Sequence, residues 1–230
     1  MEYALSENGG VAQKGYRGPG MEGFTARWYA SLTHKSIDDF TALARRFTGD
    51  LAPGSQVLEV APGPGYFAIE LAKLGAYKIT GVDISRTFVE IARRNARDSG
   101  VAVKFRQGDA ANLPFEDGTF DFLLCRAAFK NFAQPLRALQ EMHRVLAPGG
   151  RAVIIDLRRD APRQSVSRAV DAMHLGAINT FLTKSCFRLM LLKRAYSRGD
   201  FERLLSQTGF GPIEIREDLI GLELTLHKSA

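Results

Sequence analysis

Apolar and polar residues alternate along the chain with two distinct periods, which predict strands and helices in turn. Short runs rich in β-branched residues predict strands at 56–60, 78–83, 101–109, 120–126 and 151–157. Apolar residues at intervals of three to four predict intervening helices at 66–74, 85–98 and 134–146. Strands joined by crossover helices form a parallel sheet with helices on both faces. The pattern therefore predicts an α/β fold with a doubly wound, mostly parallel sheet.

The two ends of the chain have patterns of their own. Glycines are frequent in residues 1–20, which predicts a flexible arm. Apolar residues from Met21 to Phe47 then recur with helical spacing, which predicts two amphipathic helices with a break near His34. At the other end, the runs 212–217 and 222–228 predict an antiparallel hairpin. The domain is therefore predicted to span 21–230.

The segment 158–198 is a predicted helical insertion between the fifth strand and the helix after it. Ser197 and Asp200 form a predicted capping box at the start of that helix. A connection of this length is far longer than a crossover needs, and it follows the carboxyl end of a strand. Segments at this position commonly build substrate sites, so we expect 158–198 to cover the substrate.

A glycine turn follows the first predicted strand and opens the first crossover helix. Gly63 and Gly65 allow a tight turn and let a ligand approach main-chain amides at the helix start. Asp83 ends the second strand about twenty residues later, where a carboxylate accepts hydrogen bonds from ribose hydroxyls. Together these residues predict a cofactor that carries a nucleoside.

Two classes of cofactor fit the glycine turn. Gly63, Gly65 and Ala68 also satisfy the dinucleotide fingerprint, so a nicotinamide-dependent dehydrogenase is one interpretation. Glu59 argues against it, because a carboxylate at the end of the first strand would repel a pyrophosphate. The same carboxylate suits a ligand with ammonium and sulfonium charges, such as S-adenosylmethionine.

From about Leu51 to Leu157 the chain resembles a class I S-adenosylmethionine-dependent methyltransferase of the ubiquinone and menaquinone biosynthesis branch. Five motifs carry the resemblance in order: EVAPGPG, VDIS, GDAANLPFEDGTFD, CRAAFKNF and EMHRVLAPGGRAVIID. The resemblance implies a Rossmann-like, seven-stranded, mostly parallel sheet that ends in an antiparallel hairpin. It also implies S-adenosylmethionine as the cofactor and S-adenosylhomocysteine as its product.

The resemblance implies a role for each residue of the cofactor site. The methionine part would lie against Glu59, Ala61, Gly63 and Gly65. The nucleoside would contact Asp83 at the ribose and Ile84, Asp109 and Ala110 at the adenine. Arg126 and Ala127 match positions that line the cofactor near its sulfur, and Tyr29 is expected to cover it from the amino-terminal helices.

Methyl transfer from a sulfonium requires an aligned nucleophile and exclusion of water, and it needs no metal. The four histidines show no metal-ligand spacing, so no metal site is expected. If the acceptor requires a general base or a positioning group, the candidates are His34, His174 and Tyr196. Many related small-molecule enzymes carry a histidine pair after the fourth strand, where this chain has Lys130 and Asn131.

Composition and charge limit the chemical class of the acceptor. The chain has 230 residues, 45% of them apolar and 24% charged, which excludes a disordered protein. The net charge is +6, yet 151–198 alone holds ten basic and three acidic residues, so the rest of the chain is close to neutral. We therefore expect an anionic small molecule with an apolar body. Its predicted contacts are Lys130, Lys184, Arg188 and Arg194.

Several alternatives remain open from the sequence. An RNA or nucleic-acid methyltransferase is the main one, although no proline-rich base-flipping stretch follows the fourth strand and no RNA-binding module is present. A protein with a methyltransferase-like fold that has lost catalytic activity and binds partners is another. Cys125 and Cys186 lie in apolar runs, which favours reduced thiols. With no targeting signal or membrane span predicted, we expect a soluble, cytoplasmic protein that is a monomer or a homodimer.

Overall fold

The computed structural model describes residues 15–18, 20–34, 36–171 and 191–230, and these form one seven-stranded sheet with flanking helices. The strands are β1 (Gln56–Val60), β2 (Lys78–Asp83), β3 (Val103–Gln107), β4 (Phe120–Arg126), β5 (Leu146–Leu157), β6 (Ile213–Glu217) and β7 (Gly221–His227). Their order is β3-β2-β1-β4-β5-β7-β6. Strands β1 to β5 pair in parallel, whereas β7 is antiparallel to β5 and β6. The predicted doubly wound sheet with a terminal antiparallel hairpin is confirmed.

Helices precede, separate and follow the strands. They are α1 (Gly23–His34), α2 (Ile37–Thr48), α3 (Tyr66–Leu74), α4 (Arg86–Asp98), α5 (Pro135–Val145), α6 (Arg163–Asp171), α7 (Leu192–Arg194) and α8 (Arg198–Leu205). A short 3-10 helix, Phe129–Asn131, follows β4. The predicted capping box is present, since the Ser197 hydroxyl accepts the Asp200 N–H and the Asp200 carboxylate accepts the Ser197 N–H. None of the described helices is long and apolar enough to cross a bilayer.

Alternating side chains of the strands divide the interior between two faces of the sheet. Val57 packs with helices α2, α3 and α4 on one face, and its neighbour Leu58 packs with α5 and α8 on the other. The same alternation continues through Phe122 and Leu123 in β4. Both faces of the central strands are therefore buried, as the nearly continuous apolar runs predict. Because β1 pairs in parallel with β2 and β4, the carboxyl ends of these three strands lie at one edge of the sheet.

The fifth strand starts earlier than its apolar pattern predicts. The pattern places it at 151–157, but in the structure β5 already pairs through Leu146, opposite Phe120. The pairing register then shifts, so that Arg151 of β5 pairs with Phe122 of β4. Gly149, with φ of 75°, lies in this irregular stretch. The Pro-Gly-Gly sequence thus forms an irregularity inside a strand, because the neighbouring β4 continues to supply backbone partners.

Residues 15–18, at the end of the predicted arm, form a short segment that we call the strap. Tyr16 forms a β-bridge with Phe132, after β4. Within this bridge, the Ala133 N–H donates to the Gly15 carbonyl at 3.1 Å, and the Arg17 N–H donates to the Asn131 carbonyl. The strap is therefore attached to the loop that follows the central strand β4. Residues 1–14 of the predicted arm and 172–190 of the predicted insertion lie outside the described residues.

Candidate functional site

The turn between β1 and α3 contains three residues with positive φ. Ala61 has φ of 57°, Gly63 of 54° and Gly65 of 81°. A methyl group on Gly65 would lie 2.7 Å from Cζ of Phe105, so packing of the helix against β3 requires glycine there. A methyl group on Gly63 would meet no atom within 4 Å. Gly63 thus borders open space beside the turn, whereas Gly65 brings α3 close to the sheet.

The strained backbone at Ala61 recurs on the adjacent central strand. Ala127, directly after β4, has φ of 56°. Non-glycine residues rarely adopt this conformation, and those that do concentrate at functional sites. Each alanine is held by a strand, because the Ala61 N–H donates to the Val82 carbonyl and the Ala127 N–H to the Ile155 carbonyl, both at 2.7 Å. The sequence motifs named both residues but gave no signal of their conformation.

Asp83 is buried at the carboxyl end of β2 and connects the turn to the next helix. Its Oδ2 accepts the Gly63 N–H at 2.9 Å, and its Oδ1 accepts the Ser85 N–H at 2.9 Å. Burial raises the pKa of Asp83 to about 6, although these hydrogen bonds act in the opposite direction. The carboxylate is therefore fixed beside the glycine turn, where a ribose is expected.

Of the described carboxyl groups at this edge of the sheet, Glu59 has the most strongly raised pKa. It is 4% exposed, and its Oε2 accepts the Ala68 N–H at 3.1 Å. Burial raises its pKa to about 8, against the lowering effects of that hydrogen bond and of the Arg126 charge. Within the described part of the chain, its second oxygen receives no hydrogen bond. A buried acceptor of this kind fits a ligand that brings an ammonium group.

The predicted adenine contacts lie after β2 and β3. Oδ1 of Asp109 accepts the Ala111 N–H at 2.9 Å, and Ala110 is buried between them. Ile84 is half-buried, and its carbonyl accepts an N–H of Gln107 at 3.1 Å. The strap lies directly on Asp109, since a methyl group on Gly15 would be only 2.6 Å from Cγ of Asp109. The strap therefore covers one side of the predicted adenine pocket.

Two tyrosines from the amino-terminal segment approach the same region. The ring of Tyr29, on α1, contacts Phe88 edge to face at 5.9 Å between centroids. Burial raises the pKa of Tyr29, and the Asp83 charge adds to the effect. Tyr16, on the strap, also has a pKa raised by burial, with a smaller contribution from Asp83. The Asp83 charge thus contributes to the raised pKa of both tyrosines, and the covering role of Tyr29 remains a prediction.

Lys130 lies in the 3-10 helix after β4 and is 5% exposed. Its Nζ donates to Oδ1 of Asp156 at 2.8 Å and also to the Ala127 carbonyl. Its backbone N–H donates to the other Asp156 oxygen at 2.9 Å. The ammonium that was predicted to contact substrate therefore has internal partners and joins the turn after β4 to β5. Contact with substrate remains a prediction for this residue.

The other candidate residues of the acceptor side are dispersed. The exposed His34 packs its ring on Tyr66 at 5.4 Å and borders a cleft of about 260 Å³ between helices. Tyr196 is buried against Phe129, and its hydroxyl accepts from Nη1 of Arg17 at 3.4 Å. Arg194 donates to the Arg17 carbonyl at 3.3 Å. Tyr196 and Arg194 thus both contact the strap.

The remaining candidates His174, Lys184 and Arg188, like Cys186, lie outside the described residues. Cys125 is buried in β4, and burial raises the pKa of its thiol. In the part of the chain that the structure describes, no group of three or more His, Cys, Asp or Glu residues is arranged to hold a metal ion.

Comparison with known proteins agrees with this geometry. A family model described as "Methyltransferase domain" matches residues 58–154. The chain is 31% identical over 173 residues to a demethylmenaquinone methyltransferase of Staphylococcus haemolyticus, covering 71% of each protein. Relatives of the same name from Deinococcus radiodurans and Thermus thermophilus are 41% and 40% identical, over 44% and 49% of this chain. The chain spans about half the length of these two relatives, 42% and 53% respectively.

Solved structures share the fold at lower sequence identity. A Methanococcus maripaludis protein assigned to the S-adenosylmethionine-dependent methyltransferases superposes with a TM-score of 0.72 and 19% identity, covering 99% of this chain and 98% of that one. An S-adenosylmethionine-dependent methyltransferase from Aquifex aeolicus gives a TM-score of 0.64 and 20% identity, covering 86% and 97%. At this identity the similarity supports the fold.

Proposed function

The chain belongs to the class I S-adenosylmethionine-dependent methyltransferases, and on this premise we propose that it methylates a small molecule with an apolar body and an anionic group. The relatives named above are demethylmenaquinone methyltransferases, which supports a quinone-type acceptor. The surplus of basic residues in 151–198 supports the anionic group. An apolar body is compatible with the many apolar residues of the predicted covering insertion.

The burial of the Glu59 carboxyl group is the observation that best supports S-adenosylmethionine as the cofactor. A buried carboxyl group just before the glycine turn, with one oxygen that receives no hydrogen bond from the described residues, favours a ligand with an ammonium group over one with a pyrophosphate. The open space at Gly63 leaves room for such a ligand against the main chain. When bound, S-adenosylmethionine supplies a methyl group on a sulfonium, whose leaving group is a neutral thioether. Glu59, Asp83 and Asp109 would hold its amino acid, ribose and adenine parts.

The protein's remaining task is to orient the acceptor and exclude water. We assign exclusion of water to Tyr16 and Tyr29, which approach the site from the strap and from α1. Acceptor contacts are proposed for Lys184, Arg188 and Arg194, with Lys130 acting through its buried pair with Asp156. His34, His174 and Tyr196 remain candidate bases or positioning groups, and methyl transfer from a sulfonium needs no metal.

A transfer assay tests this proposal. The protein is incubated with methyl-labelled S-adenosylmethionine and a panel of hydroxylated naphthalenes that carry short apolar tails, with and without a carboxylate. We expect labelled product from the panel, and no label in a bulk RNA fraction. Cofactor binding by calorimetry without transfer to any panel member would contradict the acceptor class, and labelled RNA would favour the nucleic-acid alternative. Tight binding of NAD in the same calorimeter would favour a dehydrogenase.

The acceptor contacts can be tested separately. The double variant Lys184→Gln, Arg188→Gln should raise the KM for a carboxylated acceptor about tenfold, because each guanidinium or ammonium contributes a charge-assisted hydrogen bond. Cofactor affinity should change less than twofold. Equal loss of both affinities would indicate a structural role for these residues.

A further inference from the structure

Arg126 is a cation at the candidate site, and it has no acidic partner in the described part of the chain. It ends β4 and is half-buried, and its Cζ lies 4.5 Å from the centroid of the Phe40 ring. Among the described residues its guanidinium forms neither an ion pair nor a hydrogen bond. Arg46 stacks on Phe47 in the same way at 4.7 Å, but it is paired with Glu223 at 2.6 Å. The N–H donors of Arg126 are therefore oriented by stacking and left available for a ligand.

The acidic groups around Arg126 do not compete for it. Glu59, on β1, has a pKa of about 8 in the cofactor-free protein, and its carboxylate would pair with the ammonium group of a bound cofactor. Asp156, on β5, is bound to Lys130, and Asp83, on β2, accepts two backbone N–H groups. Tyr29, on α1, has a pKa raised by burial and is neutral at this pH. An anion that enters the site thus meets a partly desolvated guanidinium whose neighbours are neutral or already paired.

We propose that Arg126 binds the oxygen anion of the acceptor and thereby selects acceptors with an ionisable hydroxyl, such as phenols and enols. This inference rests on the proposed methyl transfer. A guanidinium in a partly buried site stabilises an oxyanion strongly, so the acceptor hydroxyl ionises at lower pH. A protein base then becomes unnecessary, which agrees with the internal pairing of Lys130.

In the proposed transfer, the acceptor hydroxyl releases its proton to solvent, and its anion remains on Arg126. An electron pair of the oxygen, or of the ring carbon conjugated with it, forms the new bond to the methyl carbon. The bond between that carbon and sulfur breaks, and its electron pair stays on sulfur. If carbon is methylated, the ring proton on that carbon is then lost to solvent.

A chromogenic phenol tests the proposal. The absorbance of 1-naphthol bound to the S-adenosylhomocysteine complex is titrated with pH in the wild type, Arg126→Gln, Arg126→Lys and the stacked control Arg46→Gln. We expect bound 1-naphthol to ionise at least one pH unit below free 1-naphthol in the wild type and in the control. Arg126→Gln should abolish the shift, and Arg126→Lys should retain part of it because the charge remains.

Two further measurements accompany the titration. The kcat/KM of Arg126→Gln for a naphthol acceptor should fall about 100-fold, and its rate should rise with pH as the free phenol ionises. The Kd of S-adenosylhomocysteine should change less than twofold. A tenfold loss of S-adenosylhomocysteine affinity with an unchanged naphthol titration would overturn the inference, because Arg126 would then hold the carboxylate of the methyl donor.

The outcomes separate this inference from the function on which it rests. If the wild type methylates the acceptor panel while the naphthol titrations of wild type and Arg126→Gln coincide, the inference fails and the proposed function stands. If the wild type neither binds naphthol nor methylates any panel member, both fail. Arg126→Lys keeps the stacked cation on Phe40, so it provides a folded variant if Arg126→Gln is unstable.

Discussion

At the scale of single residues, Glu59 has opposite effects on stability and on binding. Its pKa is about 8 in the fold against 4.5 for an ordinary glutamate, so the folded state binds its proton more tightly than the unfolded state does. Its contribution to stability is complete below pH 4.5 and is lost progressively as the pH rises towards 8. Near neutral pH the cofactor-free protein therefore carries a destabilising group that the cofactor requires.

We expect Glu59→Gln to raise the Tm of the cofactor-free protein at pH 7.5 by roughly 5 °C, because the amide has no charge to desolvate. The same change should weaken S-adenosylmethionine binding at least tenfold, since the ammonium loses its carboxylate. Scanning and titration calorimetry measure the two effects. The exposed Glu90→Gln is the matched control and should alter neither value.

The pH dependence supplies a second readout for Glu59. Above pH 7 Asp83, with a pKa of about 6, is ionised, so Glu59 is the carboxyl group that still titrates. Cofactor affinity of the wild type should rise by up to tenfold per pH unit between pH 7 and 8, because a cationic ligand prefers the ionised form. Glu59→Gln should flatten this rise. If Glu59→Gln lowers the Tm, or if its cofactor affinity rises with pH as steeply as that of the wild type, Glu59 does not have the proposed role.

The two glycines of the turn should respond differently to alanine. Gly63→Ala places a methyl group in the open space beside the turn, so the cofactor Kd should rise at least tenfold with only about 1 kcal/mol of lost stability. Gly65→Ala forces a methyl group against Phe105, so most of its effect should be on unfolding, by about 2 kcal/mol or more. Denaturant titrations and calorimetry distinguish the two. Equal changes in cofactor Kd and in unfolding free energy for both variants would show that the turn acts as one unit.

At the scale of elements, the strap couples the amino-terminal segment to the cofactor pocket. Its backbone is bonded to the loop after β4, and Gly15 contacts the Asp109 carboxylate. Arg194 and Tyr196 contact it from the region that follows the predicted insertion. The strap therefore touches both the proposed adenine pocket and the acceptor side.

Gly15→Ala should displace the Asp109 carboxylate or the strap, because the added methyl group has no room. We expect the Kd of S-adenosylhomocysteine to rise about fivefold, equivalent to about 1 kcal/mol. Gly20→Ala is the matched control, because a methyl group there meets no atom within 4 Å, and it should leave affinity unchanged. Unchanged affinity in both variants would mean that the strap does not shape the adenine pocket.

The buried pair Lys130 and Asp156 joins the 3-10 helix to β5. Lys130→Met removes the ammonium and leaves a carboxylate that is 6% exposed, so we expect a loss of about 3–5 kcal/mol of stability. The double variant Lys130→Met, Asp156→Leu should recover part of this loss, since no unpaired charge remains. Equilibrium unfolding in urea measures both variants. A loss below 1 kcal/mol for the single variant would show that Asp156 finds another partner.

At the scale of the whole molecule, the antiparallel tail completes the sheet. Leu224 is fully buried on the middle of β7, between β5 and β6, whereas Leu219 before that strand is 60% exposed. Leu224→Ala should cost about 2–5 kcal/mol of unfolding free energy, and Leu219→Ala should cost less than about 0.5 kcal/mol. Thermal unfolding compares the two. Similar costs would mean that the tail is not part of the cooperative core.

Folding also pairs charged residues that are far apart in the sequence. The basic surplus of 151–198 is partly matched by acids from other segments. Arg151 pairs with Asp50, Arg159 with Asp200, and Arg198 with Glu217. Arg126, which lies outside that segment, is a cation at the candidate site without an acidic partner among the described residues. Formal charge along the sequence therefore does not by itself locate a cation that is available to a ligand.

The sequence by itself determined the periodic features of this protein. The helix 66–74 and the strands 78–83 and 120–126 have the predicted bounds, and the capping box at Ser197 is present. These features depend on residues a few positions apart, so local spacing reports them. The glycine turn and its flanking carboxylates were also visible, because their spacing along β1 and β2 fixes which edge of the sheet they share.

Only the tertiary structure decided which groups are partnered. Lys130 pairs with Asp156 across 26 positions of sequence, and Gly15 of the strap contacts Asp109, which is distant in sequence. The early start of β5 depends on hydrogen bonds from β4. Arg126 and Lys130 are both basic residues near the end of β4. Lys130 pairs with a buried carboxylate, whereas Arg126 has no acidic partner among the described residues. Local sequence cannot distinguish them, because the pairing and desolvation of a charge depend on neighbours that folding brings from distant segments.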